Sequence, residues 1–241
     1  MTPVTDVQDA LDLARGVVRR VDFGYFVRPS TETETGLPRV EPLLGYVVRA
    51  GDAVLLVDTG MGSHPEVDAH YRPRRRSLPE ALAPLGMRPD DVTHVANCHL
   101  HFDHCGGNPA LGGLPVFVQR TELAAARTTE DYTLPELLDG SDFVELDGEA
   151  EIVPGVLVVP TPGHTDGHQS FVVRLADGSV VVAGQSHDTT TAYAGDVMAL
   201  RAHRDGHPPP LPEPRGAWVA RIQELDPRLV VLAHDHSVWM P

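Results

Sequence analysis

The sequence predicts an α/β domain. Short apolar runs rich in valine and leucine alternate with helical segments along the 241 residues, and a hydrophobic content of 41% is enough for a sizeable core. Several of those runs end in loops that carry histidine or aspartate. Two halves of similar strand-then-helix order follow one another without a fixed repeat or a separating linker. A single domain over residues 1–241 is therefore expected.

Residues 6–14 give a short amphipathic start, residues 17–28 read as a strand, and the polar residues 30–42 read as a loop. Residues 43–49 and 53–58 flank Ala50-Gly51-Asp52, which is a hairpin signal. Thr59-Gly60-Met61-Gly62 breaks the second strand, and residues 64–77 read as irregular, with Arg72, Arg74, Arg75 and Arg76. A short helix over 79–85 closes at Gly86, and a strand over 92–98 follows. Beyond it come a strand over 115–118, a helix over 121–127, and strands over 143–146 and 152–159. Residues 169–175 and 179–183 form a second hairpin around Ala176-Asp177-Gly178. The proline-rich residues 207–214 are an exposed loop, 216–225 a helix and 229–233 a last apolar strand.

The formal charge is −15, and all 19 basic residues are arginine. That balance argues against nucleic acid or an anionic membrane as the main partner. No apolar run approaches the roughly 20 residues of a membrane span. The first 20 residues lack an apolar signal core, so a cytoplasmic protein is expected. The two cysteines, Cys98 and Cys105, read as reduced thiols packed near the site. The oligomeric state is left open, a homodimer included.

The chemistry concentrates in His99-Leu100-His101-Phe102-Asp103-His104. Imidazole nitrogen and carboxylate oxygen are ordinary ligands of zinc and related divalent ions. If the 92–98 strand runs out at His99, then His99 and His101 leave the chain on one side. Asp103 and His104 follow where Gly106-Gly107 turns it, so one metal can take the first pair and a second metal the other. Three further apolar runs lead into Thr161-Pro162-Gly163-His164, Gly184-Gln185-Ser186-His187-Asp188 and His234-Asp235-His236. Ligands at the ends of buried strands are held by rigid elements, as a metal site requires.

These pieces together resemble the metallo-β-lactamase-fold hydrolases. The matching segments are Val57-Asp58-Thr59-Gly60, the histidine cluster with Gly106-Gly107-Asn108, Thr161-Pro162-Gly163-His164-Thr165, Gly184, and His234, in the family's order over about residues 40–236. Within that superfamily the chain is most similar to the N-acyl-homoserine lactonase-like branch. The resemblance implies a four-layer αββα sandwich with the site at one edge of two sheets. It implies one zinc on His99, His101 and His164 and a second on Asp103, His104 and His234, with Asp58 orienting a ligand histidine. Gln185 stands where the family carries a bridging aspartate, and a neutral amide cancels no metal charge. One or two ions, zinc or another divalent metal, are thus compatible with the pattern. Asp188 or His187 is close enough in sequence to compensate. Asp188 also stands where the lactonase branch carries a tyrosine, with Tyr193 nearby but out of register.

The expected activity is hydrolysis of a small-molecule lactone, ester or thioester by metal-activated water. Asp103 is the candidate to take a proton or hold the second ion, and Asp188 or His187 to protonate the leaving group. Arg72 to Arg76 are candidates to clamp an acidic substrate, a solvated loop being the plainer reading. A metal-dependent lyase or cyclase, and a metal-binding protein without turnover, are the alternatives.

Overall fold

The computed structural model describes residues 17–33 and 35–241, so the amphipathic start expected over 6–14 lies outside the described residues. Strands β1 (Val18–Arg28), β2 (Arg39–Ala50), β3 (Ala53–Val57), β4 (Arg74–Arg75), β5 (His94–Ala96), β6 (Pro115–Gln119) and β7 (Asp142–Leu146) form one sheet in the order β4-β1-β2-β3-β5-β6-β7. Strands β8 (Ala150–Val153), β9 (Val156–Pro160), β10 (Gln169–Leu175), β11 (Gly178–Val182), β12 (Pro227–Val231) and β13 (Val238–Trp239) form the other, in the order β13-β12-β11-β10-β9-β8. Helices α1 (Pro65–Tyr71), α2 (Leu78–Leu82), α3 (Arg120–Thr128), α4 (Thr190–Arg204) and α5 (Arg215–Glu224) accompany them.

The continuous apolar runs are strands covered on both faces, and their alternation decides which residue goes where. Leu44, Tyr46 and Val48 of β2 point into a core between the sheets, against Val156, Val158, Phe171, Val173, Val180, Val182, Leu229 and Val231. Leu43 and Val47 point the other way, onto Leu78, Ala81 and Leu82 of α2. In the second sheet Leu157, Val172, Val181 and Val230 point outward onto Tyr193 and Val197 of α4 and Trp218, Val219 and Ile222 of α5. The result is helix, sheet, sheet, helix, the four-layer αββα sandwich.

Several elements differ from the sequence expectation. Strand β2 begins at Arg39, inside the segment expected as a loop, because it pairs with β1 as far as Arg28. The run over 152–159 is two strands, folded back at Pro154-Gly155 with Gly155 at φ +78°. The irregular stretch over 64–77 contains α1 and β4. Helix α4 was not expected. Its buried residues are only Thr190, Tyr193 and Val197, too sparse a stripe to show as helical periodicity, although Thr189 caps it by accepting from Ala192 N–H.

Segments following β3, β5, β9, β11 and β12 carry Asp58, the histidine cluster, His164, Gln185 and His234 respectively. Backbone bonds tie the sheets together there, Gln169 N–H to Cys98 O (2.8 Å) and Leu44 N–H to Ala233 O (3.0 Å), while Ala233 N–H to Gly184 O (2.8 Å) joins the ends of β12 and β11 within the second sheet. The site is therefore mounted on two sheets at one edge of the sandwich.

Candidate metal centre

The cluster loop reaches the site through close backbone approaches. Gly184 has φ +56°, and a Cβ there would lie 2.3 Å from Cys98 Cβ. Only glycine lets the end of β11 come this near the cluster strand, and Gln185 takes its place in the site as a result. Asp58, at φ 58°, is a non-glycine residue in the left-handed region. Its Oδ1 accepts from Cys98 N–H at 2.8 Å, and its Oδ2 lies 3.0 Å from His104 Nδ1.

Three imidazoles converge at one side. His99 Nε2 lies 3.0 Å from His101 Nδ1, which lies 3.2 Å from His164 Nε2. Two donors on one tetrahedral zinc, each about 2.0–2.1 Å from it, stand about 3.3 Å apart. Burial, ahead of the neighbouring histidines, holds His164 down at about 3, and burial, helped by His104 and Arg28, outweighs Asp103 to hold His101 at about 4. His99, fully buried, lies well below its ordinary value for the same reason. All three are neutral at pH 7, the form that binds metal.

The second group is buried. His234 Nε2 is 3.1 Å from His104 Nε2, and Asp103 Oδ2 is 3.3 Å from the former and 3.6 Å from the latter. His104 Nδ1 faces Asp58, and His234 Nδ1 lies 2.8 Å from Pro42 O. Those acceptors place the Nδ1 protons, so both Nε2 lone pairs point at each other and at a carboxylate. Gln185 Oε1 adds another oxygen 3.1 Å from His104 Nε2. Such a group calls for positive charge at its centre. Against burial, the Asp103 and Asp58 carboxylates raise His104 well above its usual value. Asp103, though buried, is held well below the carboxylate range by His104 and His234. A divalent ion satisfies the same lone pairs, so the residues present fit a metal at both positions.

The site residues expected from sequence therefore come together at His99, His101, Asp103, His104, His164, Gln185 and His234, with Asp58 behind His104. His187 and Asp188 do not join them. His187 Nε2 is 3.0 Å from Asp196 Oδ2, and its ring packs against Tyr193 and Trp218. Asp188 lines a neighbouring cleft with His164 and Gln185, but its Oδ2 accepts from Arg39 Nη2 at 2.8 Å. Burial works to raise that carboxyl and Arg39 lowers it by more, so it stays ionised and is a poor proton donor. Neither residue replaces the missing bridging carboxylate. Tyr193 is buried, with its hydroxyl on Gln223.

The arginine run is also elsewhere: Arg75 bonds Asp68 and Arg76 pairs with Asp22. The arginine that does line the cavity is Arg28, held by Glu41 through Nε (2.6 Å) and Nη2 (2.9 Å). That cavity, of about 230 Å³, is walled by Phe26, Tyr71, Phe102 and Tyr132 and floored by His101, Asp103, His164 and Gln185. Cys98 and Cys105 are free and buried. Burial, then Asp58, pushes the Cys98 thiol up to about 12, so it stays protonated and donates to Asp58 Oδ2 at 3.1 Å.

Two buried residues of the site carry little or no signal in the sequence. His168 is fully buried; its Nε2 accepts from Gln185 N–H at 3.0 Å, and its Nδ1 meets Thr161 Oγ1 at 2.8 Å. Its signal was the second histidine in His164-Thr165-Asp166-Gly167-His168. Glu122 is fully buried as well, and nothing in its neighbourhood marks it, since an acidic residue in the first turn of a helix is ordinary. Among the described residues no helix is long and apolar enough to cross a membrane.

Comparison with known proteins agrees with this geometry. The family model of the metallo-beta-lactamase superfamily matches residues 42–234. An N-acyl homoserine lactonase of Bacillus thuringiensis is 34% identical over 173 residues, which span 65% of this chain and 68% of the relative. The N-acyl homoserine lactonase AiiB of Agrobacterium fabrum is 30% identical over 191 residues, 65% of this chain and 68% of that one. A solved N-acyl homoserine lactone hydrolase, with the product N-hexanoyl-L-homoserine bound at its catalytic metal centre, superposes with a TM-score of 0.71 at 25% identity. The match covers 90% of this chain and 92% of that one. The dizinc lactonase AidC shares the fold, with a TM-score of 0.62 at 15% identity, over 90% of this chain and 87% of that one.

Proposed function

The chain belongs to the metallo-beta-lactamase superfamily, and on that premise we propose that it is a metal-dependent hydrolase that opens small-molecule lactones. The observation that carries this reading is the pair of neighbouring ligand groups, His99/His101/His164 and Asp103/His104/His234, of which His101, Asp103 and His164 floor an aromatic-walled cavity. N-acyl homoserine lactones head the substrate list, because relatives of 34% and 30% identity bear that name. Esters and thioesters follow, since their carbonyl chemistry is the same.

Bound at these residues, zinc or a similar ion lowers the pKa of water toward about 7 and polarises a carbonyl oxygen. The chain's own residues do the rest. Asp103 Oδ2 is committed to His104 and His234, which makes it a ligand in preference to a general base. Asp58 and the Pro42 carbonyl fix the tautomers of His104 and His234, so that both Nε2 atoms stay free to coordinate. Gln185 Oε1 leans on His104, and its Nε2 makes no hydrogen bond among the described residues. That amide is placed to donate to a substrate oxygen as negative charge develops there. Phe26, Tyr71 and Phe102 give an acyl chain an apolar wall and exclude water from the reacting carbonyl.

Gln185 also sets the metal stoichiometry we infer. Of the seven candidate ligands only Asp103 carries a formal negative charge, so two dications would share one anion. The first ion therefore binds more tightly than the second. A panel of acyl homoserine lactones, simple esters and thioesters, assayed with wild type and His101→Ala, tests the activity. Ring opening by the wild type and none by the variant is expected. Equal rates on every substrate would remove the hydrolase reading.

A further inference from the structure

Glu122 is a buried carboxylate that the chemistry above does not use. It sits in the first turn of α3, is fully buried, and accepts three hydrogen bonds that lead to different parts of the site. Oε1 accepts from Leu100 N–H at 2.8 Å and from Tyr132 O–H at 2.6 Å, and Oε2 accepts from Thr165 O–H at 2.7 Å.

The positions of those donors matter. Leu100 is the residue between His99 and His101, so its N–H belongs to the peptide that joins two of the ligands. Thr165 directly follows His164, the third ligand of the same group. Tyr132 packs its ring against His101, with centroids 4.8 Å apart, and lines the cavity. One carboxylate thus touches every segment that brings a ligand to the His99/His101/His164 group. The backbone supports the same arrangement: a Cβ at Gly167 would lie 2.4 Å from Glu122 N, so the His164 loop is seated directly on the start of α3.

This tether answers a mechanical problem. His164 is exposed and His101 is half-buried, and neither ring has its second nitrogen held by a protein acceptor among the described residues. His104 and His234 have theirs held by Asp58 and Pro42. The first group is therefore held largely through its backbone, and Glu122 hydrogen-bonds to both of the segments that carry it.

We propose that Glu122 is the positioning residue of the His99/His101/His164 metal site, setting the spacing of its three nitrogens while having no direct part in the second group. The inference rests on metal binding in the proposed function but not on the identity of the substrate. Loss of an outer partner of this kind typically costs about 10–100-fold in metal affinity.

The test is cobalt(II) binding to metal-stripped protein, followed by its visible absorption, in two backgrounds. With His234→Ala only the first group remains intact. There Glu122→Ala should weaken cobalt binding about 10–100-fold, and Glu122→Gln, which keeps the shape and an acceptor oxygen, should recover most of it. With His101→Ala the first group is broken, and Glu122→Ala should change the remaining affinity less than about threefold. Circular dichroism checks the fold of each variant. If Glu122→Ala does not fold, Thr165→Val and Tyr132→Phe each remove one of the three bonds, and the threonine change should weaken the first site the more. Equal effects in both backgrounds, or wild-type affinity in all folded variants, would overturn the proposal. Lactone turnover is not part of the readout, so a wrong substrate assignment would leave this result standing.

Discussion

The two groups of candidate ligands in this site lie side by side and are built in opposite ways. His104 and His234 are buried, and each ring is fixed by a bond to its own second nitrogen, from Asp58 and from the Pro42 carbonyl. His101 and His164 are more open, and their positions are set through the chain, at Leu100 and Thr165, by Glu122. The second group carries a carboxylate, Asp103, and the first has only neutral imidazoles. Ligand geometry can thus be enforced either at the ring or at the peptide. The two routes should fail differently when disturbed.

The largest expected effect comes from removing a ligand outright. His101→Ala and His104→Ala should each lower kcat/KM by about 10³-fold or more, since each removes several kcal/mol of charge stabilisation at the reacting carbonyl. Steady-state kinetics beside elemental analysis checks this. A variant that keeps both its metal and its rate would show that the ligand in question is outside the working group.

Disturbing the ring tether comes next. Asp58→Ala leaves His104 without its Nδ1 partner and should weaken metal binding about 10–100-fold at the second group, with a smaller effect on the first through Cys98. Isothermal titration of stripped protein with zinc resolves the two events. The reciprocal pattern is expected of Glu122→Ala, and finding the same pattern for both would erase the distinction between the tethers.

Gln185→Asp adds negative charge between the groups. The second equivalent of zinc should bind about tenfold or more tightly in the variant, because a carboxylate screens the two ions from one another. Unchanged stoichiometry and affinity would mean that the amide already serves both ions equally.

The smallest effect is on the stability of the metal-free protein. His101 and His164 have folded-state values of about 4 and about 3, below the ordinary 6.5. Below pH 6.5 the unfolded chain takes up protons that the folded chain does not. Their contribution to stability is therefore complete above pH 6.5 and is lost as pH falls from there through about 4 for His101 and about 3 for His164. Thermal melts of chelator-treated protein should show Tm falling across that window. His101→Ala should lessen the fall by about 2–4 °C for each kcal/mol removed. Parallel curves for wild type and variant would count against the buried neutral imidazoles.

Much of this site was legible in the sequence because its ligands are dense and lie at the ends of apolar runs. His99 to His104 within one hexapeptide, His164 after β9 and His234 after β12 needed no tertiary information to be suspected. Asp188 and His187 were misplaced for a physical reason. Nearness to Gln185 in sequence says nothing about Arg39 and Asp196, the distant residues that hold their side chains. Glu122 was invisible for the converse reason: all three of its donors come from other segments, and its own neighbourhood reads as an ordinary helix start. The strands were clear because valine-rich runs buried on both faces have few alternatives. Helix α4 was hidden because so little of it is buried.

Metal-dependent lactone opening by two unequal ligand groups can be followed in one titration. Zinc is added stepwise to chelator-stripped protein while hydrolysis of an N-acyl homoserine lactone is followed. No activity is expected without metal, with a first equivalent taken up stoichiometrically and a second that binds only in excess zinc. Lactone hydrolysis that is independent of added and retained metal, or none at any metal loading, would contradict this expectation.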